Sequence, residues 1–165
     1  ADFRILEGRH SGNPFSYAMH DGYLGNYFPL LLHQNYNSET LFQFMELSQK
    51  ENTHIAYNFF DDMILGKKSI KDCALEAIEF AFQHQKAIGL EFDLDSIALM
   101  PTSAYTPSGI TLDEARQLIC LLARETQPRY LYLSEANPSR VKDGELFVRK
   151  SLAYLVSDYI KTLGD

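Results

Sequence analysis

Long hydrophobic runs are missing from this chain: no stretch of its 165 residues approaches the roughly 20 apolar residues that span a bilayer. A basic region followed by an apolar one is also lacking at the start, so no secretory signal is read there. Clustered positive charge is absent. The 15 Lys and Arg are scattered among 22 Asp and Glu, and the net charge of −7 argues against a nucleic-acid partner, which needs grouped cations. Cysteine is scarce: Cys73 and Cys120 do not form a C-x-x-C and are too few for a disulfide framework. Both fall in helix-like apolar periodicity and are expected to be buried free thiols, which fits a reducing, cytoplasmic setting. His20, His54 and His84 show no H-x-x-x-H spacing, and no G-x-S-x-G supports a serine triad. Low-complexity segments, repeats and interdomain linkers are lacking too.

What is present is an ordinary globular composition, 45% hydrophobic and 22% charged, over a length that can bury one core. Short apolar runs alternate with longer amphipathic ones. Residues 27–32, Tyr-Phe-Pro-Leu-Leu-Leu, read as a buried strand whose early part Pro29 weakens. Ser38 is placed to cap a helix through about Lys50, with Leu41, Phe42, Phe44, Met45 and Leu47 at helical spacing. Residues 54–59 read as a second strand, and Ser69 caps the next helix. A strand is expected over about 87–93, then a long Ser/Thr/Pro-rich loop over 96–109. Thr111 and Glu114 form a capping-box signature for a helix containing Leu118, Leu121 and Leu122. A strand over 130–133 and a helix over about 144–163 complete the chain. Alternating strands and helices predict an α/β fold, a mainly parallel sheet covered by helices. In such sheets ligands gather beyond the carboxyl ends of the strands.

That rule singles out Phe92-Asp93-Leu94-Asp95. On an extended chain, side chains at i and i+2 share one face, so the two carboxylates converge. Two close negative charges need a cation or a proton between them, and a hard divalent ion such as Mg or Mn is a natural solution. The alternative is a solvated strand end, where Asp is a common turn residue. Glu135, in Leu133-Ser134-Glu135-Ala136-Asn137-Pro138, either grips a cationic substrate group or is a structural acid beside an Asn-Pro turn. Gly8-Arg9-His10-Ser11-Gly12-Asn13-Pro14 is a polar loop able to present hydrogen bonds to a ligand, or simply a loop. His33 to Ser38 is read as a structural strand-to-helix turn, and Asp61-Asp62 as a solvated turn.

Together these elements resemble the ureohydrolase superfamily, the manganese enzymes that include arginase, agmatinase and formimidoylglutamase. Phe92-Asp93-Leu94-Asp95 looks like its S-F-D-x-D motif, and Thr102 to Gly109 like the G-T-P-x-x-G loop that follows. Ser134-Glu135-Ala136-Asn137-Pro138 is similar to E-V-N-P. Ala1-Asp2-Phe3-Arg4 looks like the tail of D-A-H-x-D. His10 to Phe15 resembles the S-G-N/T-P-F loop of the formimidoylglutamase branch. Order and spacing match along nearly the whole chain.

The resemblance implies a three-layer α/β/α domain over residues 1–165, the C-terminal part of the arginase-like fold without its N-terminal portion. It implies Asp2, Asp93 and Asp95 as manganese ligands in a centre of two ions. It also implies Glu135 as the catalytic carboxylate holding an amidine or guanidine, Thr106 as a pocket residue, and Arg4, Ser11 and Asn13 as contacts to the substrate's amino-acid end. The implied reaction is hydrolysis of a linear amidine C–N bond, formimidoylglutamate to glutamate and formamide. A guanidino hydrolase of the agmatinase or arginase type, or a non-catalytic binding or structural relative, are the alternatives. The implied partners are a small amidine or guanidine and, by family habit, other copies of the chain. The family's G-G-x-H segment does not occur, D-A-H-x-D is represented only by Ala1-Asp2, Ala98 replaces the Asp of D-x-D-x-x-D-P, and Glu91 replaces the Ser before F-D-x-D.

Overall fold

A computed structural model describes residues 2–49, 53–84 and 86–164. The chain forms two compact units, Ala1–Phe80 and Ala81–Asp165.

In the first unit, α1 (Pro14–His20) is followed by β1 (Asn26–Tyr27), α2 (Glu39–Ser48), β2 (His54–Ile55), α3 (Phe60–Ile64) and the start of α4 (Ile70–His84). β1 and β2 pair in parallel, Asn26 with His54 and Tyr27 with Ile55, across a crossover that contains α2. The expected strand over 27–32 is shorter because Pro29 has no N–H to give and Leu31 sits at φ 60°. Pairing resumes at Leu32 with Phe59. The interruption is held by buried Asn58. Its Oδ1 accepts from the Leu31 N–H (2.9 Å), and its Nδ2 donates to Cys73 O (3.0 Å) and Glu76 Oε2 (2.9 Å). Ser38 caps α2 as its sequence predicts, accepting from the Leu41 N–H. That helix was expected to run to about Lys50, which lies outside the described residues. At Ser69 the cap is reciprocal: its hydroxyl accepts from the Asp72 N–H and its own N–H donates to the Asp72 carboxylate.

Phe3, Met19, Leu41, Met45 and Ile55 make the core of this unit, with Phe15, Leu24, Tyr27 and Phe44 packed against it. His33 precedes a 3-10 turn (Gln34–Tyr36), the structural role read for it. Its ring stacks on Phe60 at 4.6 Å, and burial lowers its pKa while Asp61 opposes the shift. Asp61 and Asp62 are not a free turn but the first turn of α3. Asp61 accepts from the Gln34 N–H, and Asp62 pairs with Lys67. Acids at a helix start complement the exposed N–H groups there.

The second unit carries β3 (Leu90–Asp93), α5 (Leu112–Thr126), β4 (Leu131–Ser134) and α6 (Gly144–Gly164). β3 and β4 are parallel, registered from Leu90 opposite Leu131 to Asp93 opposite Ser134. The capping box is present as spelled, with Thr111 accepting from the Glu114 N–H and Glu114 accepting in return. Buried Ala115, Leu118, Ile119, Leu122 and Ala123 recur at helical spacing on α5. α6 packs against α5, where Arg116 Nε donates to Asp158 Oδ2 at 2.6 Å. The expected loop over 96–109 is a folded excursion rather than open chain. Ile97 bridges Ile110, and both are buried with Leu94 and Met100. Of the two thiols only Cys73 is buried, and burial pushes its pKa up; Cys120 is half-buried. Among the described residues no helix is long and apolar enough to cross a membrane. Two strand–helix–strand units with parallel pairing make the fold α/β.

Candidate metal and substrate site

In the first unit the N-terminal segment is fixed by Phe3, which is fully buried and stacks on Tyr27 at 5.5 Å. This leaves Asp2 half-buried and Arg4 exposed on either side of an anchored residue. The backbone carries the loop alongside: the Arg4 N–H donates to Gly12 O (3.0 Å) and the Phe15 N–H to Asp2 O (3.3 Å). A Cβ at Gly12 would come within 3.1 Å of Arg4 Cδ and Nε, a contact that the exposed Arg4 side chain can relieve. Ser11 is exposed on this turn.

Asn13 is fully buried, and its amide is committed to the loop. Nδ2 donates to Ile5 O (3.1 Å) and Gly8 O (2.7 Å), and Oδ1 accepts from the His10 N–H (3.0 Å). Its observed work is therefore to shape residues 5–13, the loop that follows Arg4 and carries Ser11. Arg9 is tied back, paired to Asp21 at 2.8 Å and lying over the Tyr17 ring. Proline at the first helical position ends the loop and starts α1, so the segment expected as loop closes in a helix. Ala1, the other residue of the D-A-H-x-D resemblance, lies outside the described residues.

In the second unit Asp93 ends β3, but Asp95 does not continue the strand. Leu94 is fully buried, which turns the chain inward, and Leu94–Ser96 form a 3-10 turn. The strand alternation expected to align the two carboxylates therefore stops at Asp93. They are related by a turn instead, in which Asp93 Oδ1 accepts from the Asp95 N–H at 2.9 Å. Asp95 Oδ1 in turn accepts from the Ala104 N–H at 3.2 Å. Glu135, one residue beyond β4, adopts φ 68°, a left-handed conformation unusual for a side-chain-bearing residue. Its backbone O accepts from the Ser103 N–H (3.3 Å), and its Oε2 accepts from the Ser103 hydroxyl. Because Asp93 is registered with Ser134, these bonds gather Asp93, Asp95 and Glu135 at the carboxyl end of one strand pair.

Thr106 belongs to the same excursion. Its O accepts from the Leu99 N–H (2.8 Å), and its hydroxyl accepts from the Ser108 N–H (3.2 Å). Glu91 is occupied with Tyr130. The hydrogen bond to Glu91 pushes the Tyr130 hydroxyl up to about 12. An open depression lined by Lys86, Ile88, Gln127 and Leu163 lies at the opposite, amino-terminal end of these strands.

Ser103 and the Ala104 N–H were not singled out from the sequence. Both lie in the Thr102–Gly109 segment that was, but nothing in the spacing says which hydroxyl meets Glu135.

Carboxylates are the hard oxygen donors that manganese takes. Yet among the described residues no group of three or more His, Cys, Asp or Glu is arranged to hold a metal ion. Asp93 and Asp95 supply part of a donor set on one turn, and the described residues do not by themselves complete a manganese centre.

No protein-family model and no curated protein matches the chain. Solved structures do. A formimidoylglutamase from Bacillus subtilis superposes with a TM-score of 0.77 at 16% identity, over 98% of this chain and 50% of that one. A Trypanosoma cruzi formiminoglutamase, solved with manganese, gives 0.70 at 19% identity, over 99% of this chain and 52% of the other. A Helicobacter pylori arginase gives 0.60 at 18% identity, over 84% and 43%. At such identities the likeness is one of fold, and the chain spans about half the length of the structures it matches. What this chain adopts is an α/β fold that superposes on about half the length of formimidoylglutamase and arginase structures.

Proposed function

We propose that this chain serves ureohydrolase-type hydrolysis of a C–N bond, with a linear amidine such as formimidoylglutamate as substrate and glutamate and formamide as products. The observation that carries the reading is the gathering of Asp93, Asp95 and Glu135 at the carboxyl end of β3 and β4, on a fold shared with formimidoylglutamases. Glu135 is the group to hold an amidinium, because a carboxylate offers charge-assisted hydrogen bonds to two N–H donors at once. Arg4, with Ser11 on the loop that Asn13 shapes, suits a substrate carboxylate. Thr106 is assigned to the wall of the binding site. Asp2, Asp93 and Asp95 are the donors this chain would offer to manganese, which supplies an activated water in such chemistry. An assembly of several copies and a cytoplasmic setting belong to the same proposal.

A second reading is a ureohydrolase-like protein that binds its ligand without turnover; among the described residues Asp93 and Asp95 are not joined by a third donor in a metal-holding group. One experiment separates the two. The purified protein is loaded with manganese, bound metal is measured, and formamide release from formimidoylglutamate is followed beside urea release from agmatine and arginine. Formamide release that falls at least about 100-fold in Glu135→Gln supports the first reading, since a lost charged contact of about 2.7 kcal/mol is that large. Urea release instead moves the substrate to the guanidino class. Ligand binding without product establishes the second reading, and neither manganese nor any amidine or guanidine bound overturns both.

A further inference from the structure

We propose that the dipeptide Ser103–Ala104 is a positioning element that sets Asp95 and Glu135 relative to one another, an inference that rests on the reading of these two carboxylates as site groups. Two adjacent residues reach both acids: the Ala104 N–H donates to Asp95 Oδ1 at 3.2 Å, and the Ser103 hydroxyl donates to Glu135 Oε2. Ser103 also grips Glu135 through the backbone, its N–H donating to Glu135 O at 3.3 Å.

The dipeptide stands on firm ground. Pro101 and Thr102 immediately before it are buried, and Thr102 bridges Ala136 in antiparallel fashion. The Asn137 N–H donates to Pro101 O at 2.8 Å. The segment after β4 is thereby clamped to the excursion after β3 from Glu135 through Asn137. The left-handed backbone of Glu135 fits this account, because a residue held at φ 68° persists where its surroundings over-determine it.

The chemistry of the donor matters as much as its place. A Ser hydroxyl is neutral, so it fixes a carboxylate without cancelling its charge, and Oε1 is left with its full capacity for a cationic substrate group. An Arg or Lys in that position would neutralise the acid it orients. The N–H of Ala104 acts likewise on Asp95, taking up one acceptor site and leaving the second oxygen.

The test compares Ser103→Ala and Ser103→Thr in the full chain. Three-bond couplings of the Glu135 side chain are measured by NMR, and amidine turnover is measured alongside. Wild type and Ser103→Thr are expected to show one Glu135 rotamer, and Ser103→Ala an average over several, with an unchanged melting temperature. In turnover, Ser103→Ala is expected to lose about 10-fold in kcat/KM, which Ser103→Thr restores to within about 3-fold. Bound manganese is expected to be unchanged in both, because the hydroxyl touches Glu135 and not Asp95. Ala104 amide exchange should accelerate at least about 10-fold in Asp95→Ala and stay unchanged in Ser103→Ala. Should wild type turn over nothing, the functional reading fails, and the couplings and amide exchange still decide the contact. A single Glu135 rotamer in Ser103→Ala, or averaging already in wild type, overturns the positioning role, as does a turnover loss that Ser103→Thr does not rescue.

Discussion

Replacing Gly109 by Ala is expected to destabilise the second unit far more than the same change at Gly89, although the two look alike at first approach. A Cβ at Gly109 would lie 2.3 Å from Ser96 O, and a Cβ at Gly89 would lie 2.3 Å from Tyr130 Cζ and its hydroxyl oxygen. What differs is whether the neighbour can leave. Ser96 O accepts from the Ile110 N–H (3.0 Å), and the Ala98 N–H donates to Ile110 O (2.9 Å). An ordinary C···O contact needs roughly 1 Å more than is available, so the two backbones must part and both bonds suffer. Two weakened hydrogen bonds at about 1 kcal/mol each, with overpacking strain of about 1–2 kcal/mol, oppose a gain of about 0.5–1 kcal/mol from the stiffer unfolded chain. The net expectation for Gly109→Ala is a loss of about 2–3 kcal/mol. At Gly89 the obstacle is the far end of a side chain that is 50% exposed and can swing into solvent. The lost exposed bond to Glu91 and the entropic gain then roughly cancel, to within about 1 kcal/mol. Urea unfolding followed by a probe in the second unit reads both. With a slope of about 2 kcal/mol per molar, the midpoint should fall by about 1–1.5 M for Gly109→Ala and by under about 0.5 M for Gly89→Ala. Equal midpoints for the two variants, whatever their values, would refute this use of the local geometry.

Asn58→Ala should cost about 2–4 kcal/mol in the first unit, because it strands the buried Leu31 N–H and Cys73 O that the amide serves; a loss below about 1 kcal/mol by urea unfolding contradicts that role. Tyr130 should ionise near 12 in an ultraviolet pH titration and return toward 10 in Glu91→Gln. Because the folded value lies above the unfolded one, the stabilisation from this contact is complete below about pH 10 and disappears as pH rises from 10 to 12. A Tyr130 titration unchanged by Glu91→Gln shows that the hydrogen bond is not its cause.

Local chemistry made much of the fold legible. Ser38, Ser69 and the Thr111–Glu114 pair start helices wherever they occur in such contexts, because a side-chain oxygen satisfies N–H groups within its own turn. The order of β3, α5 and β4 followed from periodicity in the same way. Tertiary structure decided the rest. Burial of Leu94 ended β3 at Asp93, so the acids that strand alternation would have aligned are joined by a turn. Asn13, read as a substrate contact, is drawn inside its loop by three backbone bonds whose partners lie three to eight residues away. Ser103 meets Glu135 across 32 residues, a pairing that no local rule encodes. The sequence by itself determined where helices begin, since caps depend on neighbours within a turn. Which oxygen faces which acid depended on packing between distant segments, and only the folded chain supplies that.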